Sequence, residues 1–298
     1  MLSSASGPVA VTGAAGFVGK RLVERLHERG VDVRAMVRDP EAPYPFARPG
    51  IARFRCDLPD RIDAAALQGT RAVVHCAYTT RFRDLESARR SNEGGTRALL
   101  EKSRAAGVRQ FVFLSSQSAH EEAKSYYGRS KLELERLLAP ETDAILRSGL
   151  VIGREGNGLF HRMRDMVRGA RVIPLFGGGR QPIQTIHVDD LCAAIEGAIE
   201  RGLSGIYTVA EPRSLEMREL LRMIAARLGK KPVFVPFPIA PALVVLRVVE
   251  GLRIPFPVSS ENLLGLECLR AADTARDLEK LGVRARPTEA SLDEALAG

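Results

Sequence analysis

The sequence predicts an α/β fold: a doubly wound parallel sheet with a smaller C-terminal substrate-binding region. Three observations carry this. Short apolar runs alternate with helix-period segments through the first half, a glycine-rich turn joins the first run to the first helix, and the alternation loosens from about Gly153. Strands separated by helices pair in parallel and are covered on both faces. Residues 1–152 are expected to form the sheet domain, and 153–298 mainly the smaller region, with some segments returning to the main sheet.

In chain order, the first strand is Val9-Ala10-Val11-Thr12, which runs into Gly13-Ala14-Ala15-Gly16-Phe17-Val18-Gly19. Val18, Leu22, Val23 and Leu26 then recur at helical spacing until Gly30. Further strands are predicted at 31–37, 52–56, 72–76, 110–115 and 144–150, and helices at 17–29, 62–67, 85–106 and 125–138. Beyond Gly153, helices are expected at 190–200, 215–228 and 241–251. Gly177-Gly178-Gly179 and the proline-rich 232–257 stretch mark loops.

With 298 residues, 45% of them hydrophobic and 27% charged, the chain has the profile of a soluble globular protein with an ample core. Residues 1–8 are small and polar with no cationic start, unlike a signal peptide. The longest apolar stretch, 233–257, is interrupted by Pro236, Pro238, Pro241, Arg247, Glu250 and Arg253, so membrane insertion is not expected. Its segment 242–249 suits core or the wall of an apolar pocket first, and a subunit contact or a helix resting on a membrane second. Cys56, Cys76, Cys192 and Cys268 are scattered, as buried thiols in a reducing cytoplasm would be; no metal site is expected. The net charge of +8 raises nucleic acid as a partner. The arginines are spread along the chain, however, and aromatics make up only 5%, so no basic run is interleaved with stacking residues. A solvated basic surface that attracts an anionic cofactor is the simpler reading, with no nucleic-acid partner.

The glycine turn offers backbone N–H groups and a helix N-terminus to a phosphate. Its spacing is Gly-x-x-Gly-x-x-Gly, and such glycines also serve plain packing. A second motif, Tyr127-Gly128-Arg129-Ser130-Lys131, places a phenol and an ammonium on one helix face. A nearby ammonium favours the phenolate, suiting Tyr127 to acid/base work. Upstream, the strand Phe111-Val112-Phe113-Leu114 ends in Ser115-Ser116, whose hydroxyl is placed to orient a substrate oxygen or to cap a turn.

In this order the motifs resemble the extended short-chain dehydrogenase/reductase superfamily, the NAD(P)-dependent epimerase/dehydratase group. The resemblance also rests on Cys56-Asp57-Leu58, Val74-His75-Cys76-Ala77, Asn92-Glu93-Gly94-Gly95-Thr96, Leu146-Arg147-Ser148-Gly149 and Ile186-His187-Val188-Asp189-Asp190. It implies a Rossmann-type dinucleotide-binding domain over 1–152. Gly13, Ala15, Gly16, Phe17 and Val18 would line the pyrophosphate turn, Asp57 and Leu58 would flank the adenine, and Cys76 and Ala77 would lie under the ribose. Ser116 would orient substrate, Tyr127 would be the acid/base, and Lys131 would hold the nicotinamide ribose and tune Tyr127. Asn92 would complete a proton relay with Lys131, and Ser148 and Leu150 would complete the cofactor set. A homodimer through the helices after Asn92 and Tyr127 is also implied.

Three details narrow this. Arg38 stands at the end of the second strand, where an acidic residue would grip an NAD ribose and a guanidinium suits a 2′-phosphate. NADP(H) is therefore favoured, while Asp39 at the next position keeps NAD(H) possible. Sugar-nucleotide members usually carry an arginine four residues before the histidine of Ile186-His187-Val188; here that residue is Ile183, with Arg154 or Arg180 as substitutes. His187 itself reads as a structural histidine joining the two regions. Ser148 replaces a proline common in the family. The leading expectation is a cytoplasmic NADP(H)-preferring oxidoreductase acting on a small or apolar carbonyl or hydroxyl compound. A nucleotide-sugar epimerase or dehydratase with tightly bound NAD(P), and a non-catalytic NADP(H)-binding regulatory protein, are the alternatives.

Overall fold

The computed structural model describes residues 7–44, 50–80, 82, 84–252 and 258–297. The expectations for residues 1–6, and for 253–257 including Arg253, fall outside the described residues.

In the first half the strands are β1 (Val9–Thr12), β2 (Val33–Val37), β3 (Ala52–Asp57), β4 (Arg61–Ile62), β5 (Ala72–His75), β6 (Gln110–Ser116) and β7 (Ala144–Ser148). Then follow β8 (Leu150–Ile152), β9 (Val172–Phe176), β10 (Pro182–Ile183), β11 (Thr185–His187), β12 (Gly205–Val209), β13 (Leu215–Glu216) and β14 (Val233–Phe237). The main sheet runs β12-β7-β6-β5-β1-β2-β3-β4, parallel except for the short hairpin of β4 with β3. β1 and β5 are buried along their whole length, which is why they read as unbroken apolar runs. Because β1 lies between β2 and β5, the connections diverge at its carboxyl end, the place where such sheets bind ligands.

The helices are α1 (Phe17–Glu28), α2 (Leu85–Arg89), α3 (Gly95–Ala105), α4 (Tyr126–Glu135), α5 (Leu159–Gly169), α6 (Val188–Glu200), α7 (Met217–Arg227), α8 (Ile239–Gly251), α9 (Ser260–Glu267), α10 (Ala275–Leu281) and α11 (Thr288–Leu296). α1, α6 and α10 cover one face of the sheet through Leu22, Leu26, Leu191, Ile195 and Leu281. α3 and α4 cover the other through Leu99, Leu100 and Leu134. The outer side of α1 is arginine-rich, and those charges are consumed internally: Arg21 meets Asp189 at 2.5 Å, while Arg25 and Arg29 share Glu196 on α6. A separate core between α5, α7, α11 and β9 is built from Phe160, Met163, Ile173, Leu220 and Leu292.

Several predicted elements are corrected. Residues 62–67 are not a helix: Ile62 pairs with Cys56, and the Asp63 side chain accepts the Ala65 N–H to cap a single 3-10 turn. The 85–106 helix is interrupted by a π-helical turn, Arg90–Gly94. The 144–150 strand breaks at Gly149, where a Cβ would stand 2.5 Å from the Gln184 carbonyl. Within the proline-rich stretch, 233–237 forms a strand that pairs with β9, since prolines are tolerated on an unshared edge.

Candidate active site

The glycine turn leaves β1 with Gly13 at φ +64°, and a Cβ there would stand 2.8 Å from the backbone of Ala77. Gly16 N–H donates to the Gly13 carbonyl at 2.8 Å, closing the turn, and Gly19 is pressed against the same carbonyl. Ala15 and Gly16 are exposed at its tip, directly before the N-terminus of α1. Val18 is half-buried against the sheet core, while Phe17 turns its ring away, edge-on to His161 at 5.0 Å. Phe17 thus contributes only backbone to the turn.

A buried chain of hydrogen bonds ties this turn to the next loop. Thr12 Oγ1 lies 2.7 Å from His75 Nδ1, and His75 Nε2 lies 2.9 Å from Thr96 Oγ1. Thr96 in turn donates to the Asn92 carbonyl at 2.6 Å. Burial, followed by the charge of Lys131, pulls His75 down to about 3, so it stays neutral as this chain requires. The Asn92 side chain accepts from Thr79 N at 2.8 Å and donates to Thr79 O at 3.0 Å. Asn92 therefore clamps the segment after β5, and among the described residues its side chain makes no hydrogen bond to Lys131.

Ser116, Tyr127 and Lys131 converge on the end of β6. The Tyr127 phenol lies beside the Ser116 hydroxyl, near enough for that hydroxyl to pull its pKa down. Lys131 Nζ donates to the Leu114 carbonyl at 2.7 Å and lies 4.2 Å from the Tyr78 ring centre and 4.5 Å from that of Phe113. Gly128 makes this convergence possible: a Cβ there would stand 2.4 Å from the Ser118 carbonyl, so any side chain would push α4 outward. Burial raises the Tyr127 phenol above its ordinary range, against the neighbouring Ser116 hydroxyl, which lowers it. The expected depression by Lys131 is replaced by this desolvation. Burial pulls Lys131 itself down to about 7.

That depression has a measurable consequence. The unfolded ammonium titrates near 10.5 and the folded one near 7, so between these values the unfolded chain binds more protons and stability rises with pH. Urea unfolding from pH 7 to about 8.5 should show a rise of about 1 kcal/mol per pH unit that Lys131→Met lacks.

Two contributors were not singled out from sequence. Tyr78 stands edge-on to Tyr127, ring centres 5.3 Å apart, and forms the aromatic floor under Lys131. Glu135, buried one turn beyond Lys131 on the same face, accepts from Ser115 Oγ at 2.5 Å and from Arg147 Nη2 at 2.6 Å. It locks α4 to the ends of β6 and β7. The four-residue spacing from Lys131 was the available signal; the partners, on strands, were not adjacent in sequence.

The remaining predicted residues sit around this centre. Arg38 follows β2 directly, is exposed, and has no hydrogen bond or ion pair among the described residues. Asp39, by contrast, lies 3.5 Å from Arg55 Nη2 and accepts the Glu41 N–H. Asp57 is exposed at the end of β3, and Leu58 packs half-buried against Gly95. Cys76 and Ala77 are half-buried beyond β5, and burial pushes the Cys76 thiol up to about 12. Ser148 Oγ donates to the Ser115 carbonyl at 3.2 Å, filling with a hydroxyl the place of the family's proline. Leu150 is half-buried against the second core. His187 lies at the start of α6, accepts the Asp189 N–H, and is 3.5 Å from Glu294 on α11. Burial, then Arg286, holds it below its ordinary range. His187, Asp189 and Glu294 are close enough to share an ion, but Arg21 and Arg286 already neutralise the two carboxylates.

An apolar cleft opens in the C-terminal region beside Met163, Met166, Phe176, Met217 and Leu266. α9 links it to α4. Its Asn262 and Leu266 line the cleft, while Glu261 accepts the Tyr126 N–H at 2.5 Å and Gly265 faces Ser125.

Residues 9–210 match the model of the NAD dependent epimerase/dehydratase family. The chain belongs to that family. Among relatives, a ceramide reductase of Caulobacter vibrioides is 31% identical over 249 residues, 80% of this chain and 76% of that protein. A 4-hydroxy-2-methyl-3-oxo-4-farnesyl-3,4-dihydroquinoline-1-oxide ketoreductase of Stigmatella aurantiaca is 26% identical, over 93% and 92% of the two chains. The structure of the Thermotoga maritima UDP-glucose 4-epimerase with UDP-glucose superposes with a TM-score of 0.73 at 22% identity, covering 97% of each chain. The fold is therefore the Rossmann-like fold of extended short-chain dehydrogenases, and the protein is an NAD(P)-dependent enzyme of that family. The turn fits a dinucleotide: the backbone of Ala15 and Gly16 is exposed directly before a helix N-terminus.

Proposed function

We propose that the protein is an NADP(H)-preferring oxidoreductase that reduces an apolar carbonyl compound, or oxidises the corresponding alcohol. The observation that carries the reaction type is the convergence of Ser116, Tyr127 and Lys131 at the end of β6, with Lys131 anchored to the Leu114 carbonyl. A bound dinucleotide supplies hydride chemistry at its nicotinamide. The chain's own residues supply the rest. Ser116 holds the substrate oxygen, and the Tyr127 hydroxyl donates its proton to that oxygen as the carbonyl carbon gains hydride. Burial keeps Tyr127 protonated at neutral pH, the state an acid needs in the reductive direction. Lys131 binds the ribose and replaces the proton. Asn92 acts here as a positioning residue through Thr79 and Thr96.

Substrate class is argued from the cleft and from Ile183. The position that grips a nucleotide diphosphate in sugar-nucleotide members is buried in the second core here. Arg154, a candidate substitute, donates to the Ala297 carbonyl. The cleft is lined by methionines, which adapt to irregular apolar ligands. The names of the two reductase relatives, a ceramide and a farnesyl-bearing ring, agree with such a ligand. Four free thiols are compatible with placement in a reducing cytoplasm, and a homodimer through α3 and α4 belongs to the same reading.

Cofactor choice rests on Arg38, unpartnered at the end of β2 while Asp39 is engaged elsewhere. The expected result is turnover of long-chain apolar ketones with a KM for NADPH about tenfold below that for NADH. Arg38→Glu should invert this order. Turnover confined to UDP-hexoses would overturn the substrate class, and an unchanged cofactor preference in Arg38→Glu would overturn the role of Arg38.

A further inference from the structure

We propose that the outer face of the β9–β14 ribbon, together with α8, docks on an anionic phospholipid membrane. On β14, Val233, Val235 and Phe237 alternate onto one face and are 60%, 42% and 37% exposed. Val172, opposite Val233 on β9, is 56% exposed, while Ile173 and Leu175 on the other face fill the second core. After Pro238 the chain enters α8, which buries Ala242 and Leu246 against Leu263. Its other side exposes Val244, Val245, Val248 and Leu252 by 61%, 53%, 55% and 67%. Ribbon and helix are joined through Phe237, whose ring is edge-on to Phe176, itself packed in the α8 cluster. Apolar faces of this kind on a surface mark interaction sites.

Charge decides which partner this face fits. Arg168, Arg171, Lys230 and Lys231 flank the amino-terminal end of the parallel ribbon, Arg222 shares an open depression with the two lysines, and Arg247 projects from α8. All six are exposed, and none has an ion pair among the described residues, unlike the arginines of α1. The single carboxylate of α8, Glu250, is held by the Ser260 N–H and hydroxyl. Apolar side chains rimmed by free cations match acyl chains below phosphate headgroups. A second copy would bring like-charged rims together. α8 is 13 residues long, and no helix among the described residues is long and apolar enough to cross a membrane, so the contact is peripheral.

The face also adjoins the cleft. Phe176 and Val258 line the cleft and pack against the inner side of α8, so an apolar substrate leaving the bilayer would meet the cleft beside the docking face. This delivery rests on the apolar-substrate reading; the docking does not.

The test is co-sedimentation of the full chain with phosphatidylcholine vesicles and with mixed phosphatidylcholine–phosphatidylglycerol vesicles. Binding is expected to the mixed vesicles and to weaken with salt. Val244→Glu with Val248→Glu should lower it about tenfold or more with Tm and NADPH affinity retained, since both positions are exposed. Lys230→Gln with Lys231→Gln should weaken it about fivefold per cation removed and flatten the salt dependence. Equal binding to both vesicle types, or none, would overturn the proposal. So would a dimer that Val244→Glu with Val248→Glu dissociates, since the face would then be a contact between copies. Vesicle binding without turnover of apolar ketones would leave docking standing and refute the substrate reading; the reverse result would refute docking alone.

Discussion

Tyr127→Phe is expected to lower kcat by about 10²–10⁴-fold while leaving dinucleotide affinity within a few-fold of the parent. The substitution removes one oxygen, the one that faces the Ser116 hydroxyl and that the proposed mechanism makes the proton donor. The ring remains, so the edge-on contact with Tyr78 that floors Lys131 is retained and α4 has no reason to move. Fluorescence titration of NADPH would separate binding from chemistry. Turnover at the parent rate would show that the proton comes from another group. A parallel fall in NADPH affinity would show that the phenol acts mainly as a binding group.

Gly19→Ala should have the second large effect, through packing. A Cβ at Gly19 would stand 2.2 Å from the Gly13 carbonyl and 3.1 Å from the Ala14 Cα, so either α1 or the turn must shift. Both are anchored: Gly16 N–H bonds the same carbonyl, and α1 is pinned to α6 by Arg21, Arg25 and Arg29. Overpacking of this kind typically costs about 1–3 kcal/mol of stability. Displaced turn amides should weaken dinucleotide binding by about 100-fold, because the anion site consists of backbone aimed at one point. Gly169→Ala, where a methyl meets nothing within 4 Å, is the control and should be neutral in both measurements. NADPH affinity unchanged in Gly19→Ala would mean that the turn is not the phosphate site.

Much of this centre was legible from residue order. Short apolar runs and helical spacing located most strands of the main sheet. Four-residue spacing put Tyr127 and Lys131 on one face of α4, and the glycine turn announced the strand-to-helix corner. The elements missed or misplaced are those whose signal is short or shared. A two-residue strand such as β4 has no period to detect, and the π-helical turn before α3 keeps the polarity of a helix while shifting its register. β14 was obscured by Pro236, which an edge strand accepts because its nitrogen need not donate.

The sequence by itself determined the doubly wound architecture, the glycine corner between β1 and α1, and the spacing that groups Ser116, Tyr127 and Lys131, because periodicity, turn chemistry and helical spacing are properties of neighbouring residues. Only the tertiary structure decided what surrounds them. His75 joins Thr12 to Thr96, Glu135 ties α4 to Ser115 and Arg147, and Asp39 is drawn to Arg55 while Arg38 is left free. Burial, more than the nearby ammonium, governs the Tyr127 phenol. Each of these depends on which strands stack side by side and how much water they exclude, quantities that exist only after distant segments have met.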